Sequence, residues 1–165
     1  MIFCTLGTTN FPFTRLVTLL DKALIGKSEE ALIQTGNNNY VLSYPHHTVQ
    51  IEIPYARLIS HMSQARALVC HGGAGTILLA LRYSHVKPFV LPRLTQYKEH
   101  VDNHQKYFAA YMYSQKKIIT PSDSQTALLD LRAYLQHPQK QKPTLPGEKN
   151  ALIEHLSAFT TRLYF

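Results

Sequence analysis

Short apolar runs alternate along this chain with longer stretches in which apolar residues recur at helical spacing. In one such stretch Leu16, Val17, Leu20 and Leu24 share a face, and Gly26 follows as a terminator. The predicted strands are 2–6, 30–35, 48–53, 67–70, 88–91 and 117–119, and the predicted helices are 13–25, 55–64, 76–82, 97–114 and 122–135, the last with Ser122 as N-cap. Parallel strands need crossover connections, so this alternation predicts an α/β fold with a doubly wound, mostly parallel sheet.

The 165 residues are about the size of one domain. We expect the α/β domain to occupy residues 1–137. A linker rich in Pro, Lys and Gln follows over 138–149, and residues 150–165 form an amphipathic helix that packs on the domain or on a partner.

Charge and apolar content narrow the class of protein. The net charge of +7 favours anionic partners, but it is dispersed and contains no run of five basic residues, so nucleic acid is not expected as a partner. No apolar run approaches the ~20 residues of a spanning helix, and the N-terminus resembles a strand rather than a signal peptide. Cys4 and Cys70 lie in apolar runs and are expected to be buried free thiols, which indicates a cytoplasmic location.

The sharpest motif is a glycine-rich turn between a predicted strand and a predicted helix. Its residues are His71, Gly72, Gly73, Ala74, Gly75 and Thr76. Glycines permit close backbone approach, and a helix N-terminus offers N–H groups and the positive end of a dipole. The arrangement predicts an anion site suited to a diphosphate, with Thr76 as a hydroxyl donor and His71 facing the same anion. It lacks the Gly-Lys-Ser/Thr of ATPases and the dinucleotide fingerprint.

A second cluster of polar residues lies in the long helix predicted over 97–114. Asp102 and Gln105 are spaced i, i+3, so they are expected to share a face and to bind vicinal sugar hydroxyls. His100 and His104 are spaced i, i+4, but Val101 and the lack of an obvious third ligand argue against a zinc helix.

Several stretches together resemble the C-terminal domain of family 28 glycosyltransferases, which have the GT-B fold. They are residues 2–13, 34–36, 71–76 and 99–105, and the similarity extends from residue 1 to about 135. The sequence is similar in particular to split members, in which this half is a separate chain: bacterial exopolysaccharide transferase subunits and the eukaryotic catalytic subunit that elongates dolichol-linked GlcNAc.

The resemblance implies the donor-binding subunit of a two-component, inverting hexosyltransferase that uses a UDP-sugar. The implied donor-binding residues are Thr8, Thr9, His71, Gly72, Gly73, Ala74, Gly75, Thr76, Glu99, Asp102, His104 and Gln105. His71 would stabilise the diphosphate, the catalytic base would belong to the partner, and no metal or other cofactor is implied. The implied partner is a membrane-anchored subunit that binds a lipid-linked acceptor and recruits this chain to the inner face of the membrane.

The sequence departs from the family pattern at Leu79, where a glutamate that binds ribose is usual. Ribose would then be held otherwise, for instance by Glu99, or the nucleotide would bind more weakly. A non-catalytic module that binds nucleotide-sugars and regulates another protein is the alternative function. The transferred sugar stays open; a glucuronate donor would need a cation such as Arg93 or Lys98.

Overall fold

The computed structural model describes residues 1–36 and 40–144. The elements in chain order are β1 (Ile2–Thr5), α1 (Thr14–Leu24), β2 (Ala31–Gln34), β3 (His47–Gln50), α2 (Tyr55–Gln64), β4 (Ala67–His71), α3 (Ala74–Tyr83), β5 (Phe89–Leu91), α4 (His104–Ser114) and α5 (Ala127–Gln136). A single 3₁₀ turn (Thr95–Tyr97) lies between β5 and α4.

The five strands form one sheet in the order β3-β2-β1-β4-β5, and every neighbouring pair is parallel. The chain runs outward from β1 to β3 and then returns to the other side of β1 with β4. The topological switch point therefore lies between β1 and β4, where open sheets of this type bind ligands at the carboxyl ends of the strands. The predicted α/β, doubly wound fold is confirmed.

Alternation along β1 and β4 distributes side chains to both faces of the sheet. Ile2, Cys4 and Val69 pack toward α1 and α5, whereas Phe3 and Leu68 pack toward α2 and α3. Both faces are thus covered by helices, as the nearly continuous apolar strands require. This burial holds the strand ends rigidly and fixes the positions of the loops that follow them.

Cys4 and Cys70 are buried and free, as predicted. Burial raises the pKa of the Cys70 thiol to about 12 and also raises that of Cys4. Both sulfurs are therefore protonated at neutral pH, which makes them packing groups rather than nucleophiles.

The helix predicted over 97–114 begins only at His104. Lys98 adopts a left-handed conformation (φ 56°), which ends the 3₁₀ turn before it can extend into a helix. Asn103 Oδ1 accepts hydrogen bonds from the N–H and the hydroxyl of Thr95, so the polar side chain closes this turn. Local side-chain bonds of this kind compete with helix formation.

Other boundaries also differ from prediction: β3 ends at Gln50 rather than at residue 53, and α3 begins at Ala74 rather than at residue 76. The strand expected over 117–119 is reduced to one parallel bridge between Ile119 and Phe89. Ser122 is not an N-cap, because α5 begins at Ala127 and the N–H of Ser122 donates to Asp130.

The described part of the predicted linker contacts the domain. The N–H of Lys87 donates to the carbonyl of Gln139, and the Gln141 amide donates to the carbonyls of Ala80 and Ser84 at the C-terminal end of α3. The bond to Ser84 satisfies a carbonyl group at the end of the helix, and the bond to Ala80 adds a second donor to a carbonyl that already accepts the N–H of Ser84. The domain boundaries remain a prediction, and the helix predicted over 150–165 lies outside the described residues.

Candidate functional site

The loops that follow β1, β2, β4 and β5 meet at the carboxyl edge of the sheet. Gly7, after β1, and Gly36, after β2, both have positive φ angles of 79° and 62°. A Cβ on Gly36 would lie 2.7 Å from the carbonyl oxygen of Gly7, so glycine is required for the two loops to approach. The Gln34 side-chain amide donates to that same oxygen at 2.9 Å. Gln34 and Gly7 lie in stretches that resemble the family but are not among the predicted donor-binding residues.

The imidazole of His71 joins the β1 loop to the glycine-rich loop. A Cβ on Gly7 would lie 2.7 Å from its Cε1, and a Cβ on Gly73 would lie 2.3 Å from its Nε2. The ring therefore occupies space that only glycines leave free on both sides. Its Nδ1 lies 3.4 Å from the carbonyl oxygen of Thr5, an acceptor that favours a proton on this nitrogen.

His71 is a neutral side chain at physiological pH. Burial, reinforced by the nearby Arg93 guanidinium, lowers the pKa of His71 to about 4. With its proton on Nδ1, the ring presents Nε2 as an acceptor toward the glycine-rich loop. His71 therefore shapes the loop without adding positive charge, and its predicted contact with a diphosphate stays a prediction.

Helix α3 begins at Ala74 with Gly73 as its N-cap, and no side chain caps it among the described residues. The first helical hydrogen bond runs from the N–H of Ile77 to the carbonyl of Gly73 at 3.0 Å. The N–H groups of the first turn lack intrahelical acceptors, and they carry the positive end of the helix dipole. This end of α3 can bind an anion.

The three glycines of the loop differ in what surrounds them. Gly72 is required for packing, because a Cβ there would lie 3.0 Å from Pro92 Cα and 3.1 Å from Gln105 Cβ. Gly73 leaves room for His71. Gly75 is exposed, and a Cβ on it would meet nothing within 4 Å in the described chain. Its open side at the start of α3 is accessible to a ligand.

Glu99 is 3% exposed and holds the loop between β5 and α4 in place. Its carboxylate forms a bidentate ion pair with Arg15, with distances of 3.0 Å to Nε and 2.7 Å to Nη2. The same carboxylate accepts the N–H of Leu94 at 3.0 Å. Both oxygens thus have protein partners, and a ribose contact by Glu99 would have to compete with them.

Arg93 is fully buried, and its guanidinium points to backbone carbonyls. The suggestion that it binds the carboxylate of a glucuronate donor is therefore wrong. Leu79 is half-buried and packs against the apolar cluster that contains Met62 of α2. The position at which the family has a ribose-binding glutamate is thus part of the contact between α2 and α3.

Asp102 and Gln105 do not share a helix face, because Asp102 precedes α4. Asp102 is exposed and accepts the N–H of His104 at 3.0 Å, as well as a hydrogen bond from the His104 ring. These bonds lower the pKa of Asp102, the backbone N–H contributing most. Gln105 is buried, and its Oε1 accepts the N–H of Arg93 at 3.2 Å. Gln105 thus connects α4 to the end of β5.

His100, Asp102 and His104 form a cluster, which we call the imidazole–carboxylate cluster. Their ligand atoms lie within 4.8 Å of one another, and the two rings meet edge to face at 4.7 Å. The expectation of no third potential ligand beside the two histidines was wrong. Two imidazoles and a carboxylate are a donor set that zinc accepts, although the hydrogen bonds within the cluster also account for its geometry.

Thr8 and Thr9 lie in the β1 loop beside Gly36. A Cβ on Gly36 would lie 3.5 Å from Thr8 Cα and 3.5 Å from the carbonyl oxygen of Thr9. The hydroxyl of Thr9 accepts the N–H of Phe11 at 3.4 Å, which shapes the turn. The loop as a whole adjoins the glycine-rich loop through the His71 ring.

A groove in the described part of the chain lies elsewhere. It has a volume of about 670 Å³ and is lined by Lys87, Ile119, Tyr134 and His137, near the amino end of β5. It contains none of the predicted site residues. The candidate site is instead an open crevice at the carboxyl edge.

An open parallel sheet with a glycine-rich loop and a helix N-terminus at its switch point is typical of a Rossmann-like domain. The model of the glycosyltransferase family 28 C-terminal domain matches residues 1–155. The chain therefore belongs to the family with this C-terminal domain, and it is a glycosyltransferase domain.

One similar solved structure is described as "Crystal Structure Analysis of the Glycotransferase of kitacinnamycin". It has a TM-score of 0.57 and 19% identity, and the match covers 96% of this chain but 37% of that one. At this identity the similarity concerns the fold. No curated protein matches this sequence. Within the described ranges, no helix is both long enough and apolar enough to cross a membrane.

Proposed function

We propose that this chain is the donor-binding half of a two-component, inverting UDP-sugar glycosyltransferase that acts on a lipid-linked acceptor. The observation that carries the proposal is the start of α3 in a domain of this family: an uncapped helix N-terminus whose Gly75 faces open space. A diphosphate placed there would accept hydrogen bonds from the first-turn N–H groups and would lie at the positive end of the helix dipole.

The reaction requires the acceptor hydroxyl to attack the anomeric carbon while the bond from that carbon to the diphosphate oxygen breaks. A base takes the proton of the hydroxyl, and UDP leaves with the bonding electrons and its added negative charge. The N-terminus of α3 and the hydroxyl of Thr76 would stabilise this charge as it develops. The remaining donor contacts are assigned to the crevice residues Thr8, Thr9, Asp102, His104 and Gln105. No metal or other cofactor takes part in this scheme.

The proposal assigns the acceptor and the base to a second polypeptide. The match to the glycosyltransferase structure spans 37% of that chain, so the rest of that chain has no counterpart in these 165 residues. Similarity to split members of the family supports a membrane-anchored partner that recruits this chain to the inner face of the membrane. Full transferase turnover by the isolated chain would contradict this part of the proposal.

Ligand-dependent thermal stability tests the donor site directly. The isolated chain is melted with UDP, UDP-GlcNAc, UDP-glucose, UDP-galactose and UDP-glucuronate, with ADP and GDP as nucleotide controls. A ligand at a hundredfold excess over its dissociation constant stabilises the fold by ~2.7 kcal/mol, which shifts the melting curve measurably. A shift selective for uridine nucleotides supports the proposal, and the best sugar identifies the donor.

Gly75 provides a matched pair of variants for this test. Because a Cβ there meets no described residue within 4 Å, neither Gly75→Ala nor Gly75→Asp should disturb the fold. An aspartate in the first turn even favours the helix dipole, but it repels a diphosphate. We expect Gly75→Asp to be at least as stable as Gly75→Ala and to lose the UDP-dependent shift, whereas equal UDP shifts would place the diphosphate elsewhere.

A non-catalytic nucleotide-sugar module is the second candidate function. It is favoured by the apolar packing of Leu79 and by the protein partners of Glu99, which leave ribose without an evident carboxylate. This candidate predicts binding of UDP-sugars but no transfer when the acceptor-binding partner is added. Transfer in the reconstituted complex excludes it.

A further inference from the structure

Two arginines connect the loops on either side of the candidate donor crevice. Each arginine belongs to one of the two loops, or to the helix that follows it, and its guanidinium contacts the opposite loop. Arg15, in the first turn of α1, contacts the segment after β5, and Arg93, directly after β5, contacts the segment between β1 and α1. We name this pair, together with Glu99, the arginine clamp.

The contacts of Arg93 are made almost entirely with backbone oxygens. Its guanidinium donates to the carbonyls of Leu6 at 2.9 Å, Phe11 at 2.8 Å, Pro12 at 3.2 Å and Glu99 at 3.3 Å. Four carbonyls from two loops therefore converge on one planar group. Their positions fix the path of the β1 loop, which carries Gly7, Thr8 and Thr9.

Arg15 makes the reciprocal connection from α1. Besides its bidentate pair with Glu99, it donates to the carbonyl of Pro92 at 2.6 Å. The ring of Phe13 lies beneath both guanidinium groups, 4.4 Å from that of Arg93 and 5.5 Å from that of Arg15. Cation–π contacts of this kind orient a guanidinium as well as stabilise it.

The cost of burying Arg93 indicates that stability alone does not explain it. Its side chain is 0% exposed, and its Nε has no hydrogen-bond partner among the described residues. Burying a charge costs several kcal/mol, and apolar side chains of similar size are often as stable in such positions. A fixed relation between two loops is something that an apolar replacement would not provide.

We propose that the arginine clamp preorganises the donor crevice, so that Arg15 and Arg93 act as positioning residues for donor binding without touching the donor. This inference rests on the proposed function. A site held in its binding geometry before the ligand arrives loses less free energy to ordering on binding. Loosening either arginine should therefore weaken donor binding beyond any effect on stability.

The chain contains a matched control for Arg15. Arg66 also pairs with a glutamate, Glu29, and donates to one backbone carbonyl, that of Leu135 at 3.0 Å. It lies at the amino ends of the strands, where its N–H donates to the carbonyl of Met1. Arg15→Gln and Arg66→Gln thus each remove an arginine–glutamate ion pair, at opposite edges of the sheet, and the Arg66–Glu29 pair is the more exposed of the two.

The experiment measures the UDP dissociation constant by calorimetry for the wild type, Arg15→Gln, Arg93→Lys and Arg66→Gln, with urea unfolding as the stability reference. We expect the two clamp variants to weaken UDP binding by about tenfold or more, and Arg66→Gln to leave it unchanged. If Arg93→Lys does not fold, Arg15→Gln decides alone. Equal UDP affinities in Arg15→Gln and the wild type would overturn the proposal.

Hydrogen exchange followed by mass spectrometry tests whether the two arginines hold the loops, whereas the UDP dissociation constant, compared with urea unfolding, separates positioning from a purely structural role. Arg15→Gln should increase exchange in residues 92–99, and Arg93→Lys should increase it in residues 6–13, while exchange around residue 29 stays unchanged. A uniform increase over the chain would contradict coupling between the loops. If the wild type binds no UDP, the proposed function and the donor part of this inference fail, whereas exchange still decides whether the clamp couples the loops.

Discussion

The neutral, buried His71 makes the stability of the fold depend on pH. Its pKa is about 4 in the folded chain, against ~6.5 for an unperturbed histidine in an unfolded one. At pH values between these two, the imidazole is protonated in the unfolded chain but neutral in the folded chain. Stability is therefore fully present above about pH 6.5 and is lost as the pH falls toward 4.

The size of the effect follows from the two pKa values. Lowering the pH from 7.5 to 5.0 should cost about 2 kcal/mol of unfolding free energy through His71 alone. Carboxylates whose pKa values are lowered by folding, such as Glu29, exert their effect mainly below this window. Burial also lowers the pKa of His61, which contributes in the same direction.

Urea unfolding at pH 7.5 and 5.0 measures this loss for the wild type, His71→Gln and His61→Gln. Removal of the imidazole between two glycines will itself change stability, so the quantity compared is the difference between the two pH values. We expect that difference to shrink by most of the 2 kcal/mol in His71→Gln and to shrink by less in His61→Gln, because the His61 side chain is only half-buried. Equal pH dependence in the wild type and His71→Gln would refute the burial argument.

Three other expectations follow from the same crevice. Gly73→Ala should destabilise the chain by about 2 kcal/mol in urea unfolding, because its Cβ would overlap the His71 ring, and His71→Ala should relieve most of that cost. UDP affinity measured by calorimetry should be the same in EDTA and in Mg²⁺, and a loss of binding in EDTA would instead point to the imidazole–carboxylate cluster. The wild type should bind UDP and dUDP equally, because Leu79 stands where the family has a ribose-binding glutamate. The variant Leu79→Glu should prefer UDP. A preference for UDP in the wild type would show that another group binds the ribose 2′-hydroxyl.

The elements set by local pattern could be predicted from the sequence. The α2 helix has the predicted bounds. Strand β4, which precedes the glycine-rich loop, is longer than the predicted 67–70 by one residue, His71. The start of α4 could not be predicted, because it depends on the left-handed Lys98 and on the bond from Asn103 to Thr95. Apolar spacing contains no information on such side-chain bonds.

The arginine clamp was missed for a different reason. Arg15 and Glu99 are 84 positions apart, and Leu6 and Arg93 are 87 apart, so only the parallel sheet brings them together. Glu99 is predicted to bind the donor because it lies in a stretch that resembles the family. Its carboxylate instead pairs with Arg15 and accepts the N–H of Leu94. A residue in a family motif can thus serve to fix the loop that carries the site rather than to contact the ligand.

The glycine-rich loop shows how that distinction can be made within a single motif. Contacts inside the fold account for Gly72 and Gly73, since a Cβ would crowd Pro92 and Gln105 in one case and overlap the His71 ring in the other. Among residues 1–36 and 40–144, Gly75 has no neighbour that would exclude a side chain, and glycine weakens a helix by up to ~1 kcal/mol relative to alanine. A residue that costs the helix stability and relieves no internal contact is best explained by something outside the chain. The open side of Gly75 is therefore the strongest local argument that this end of α3 accommodates a ligand.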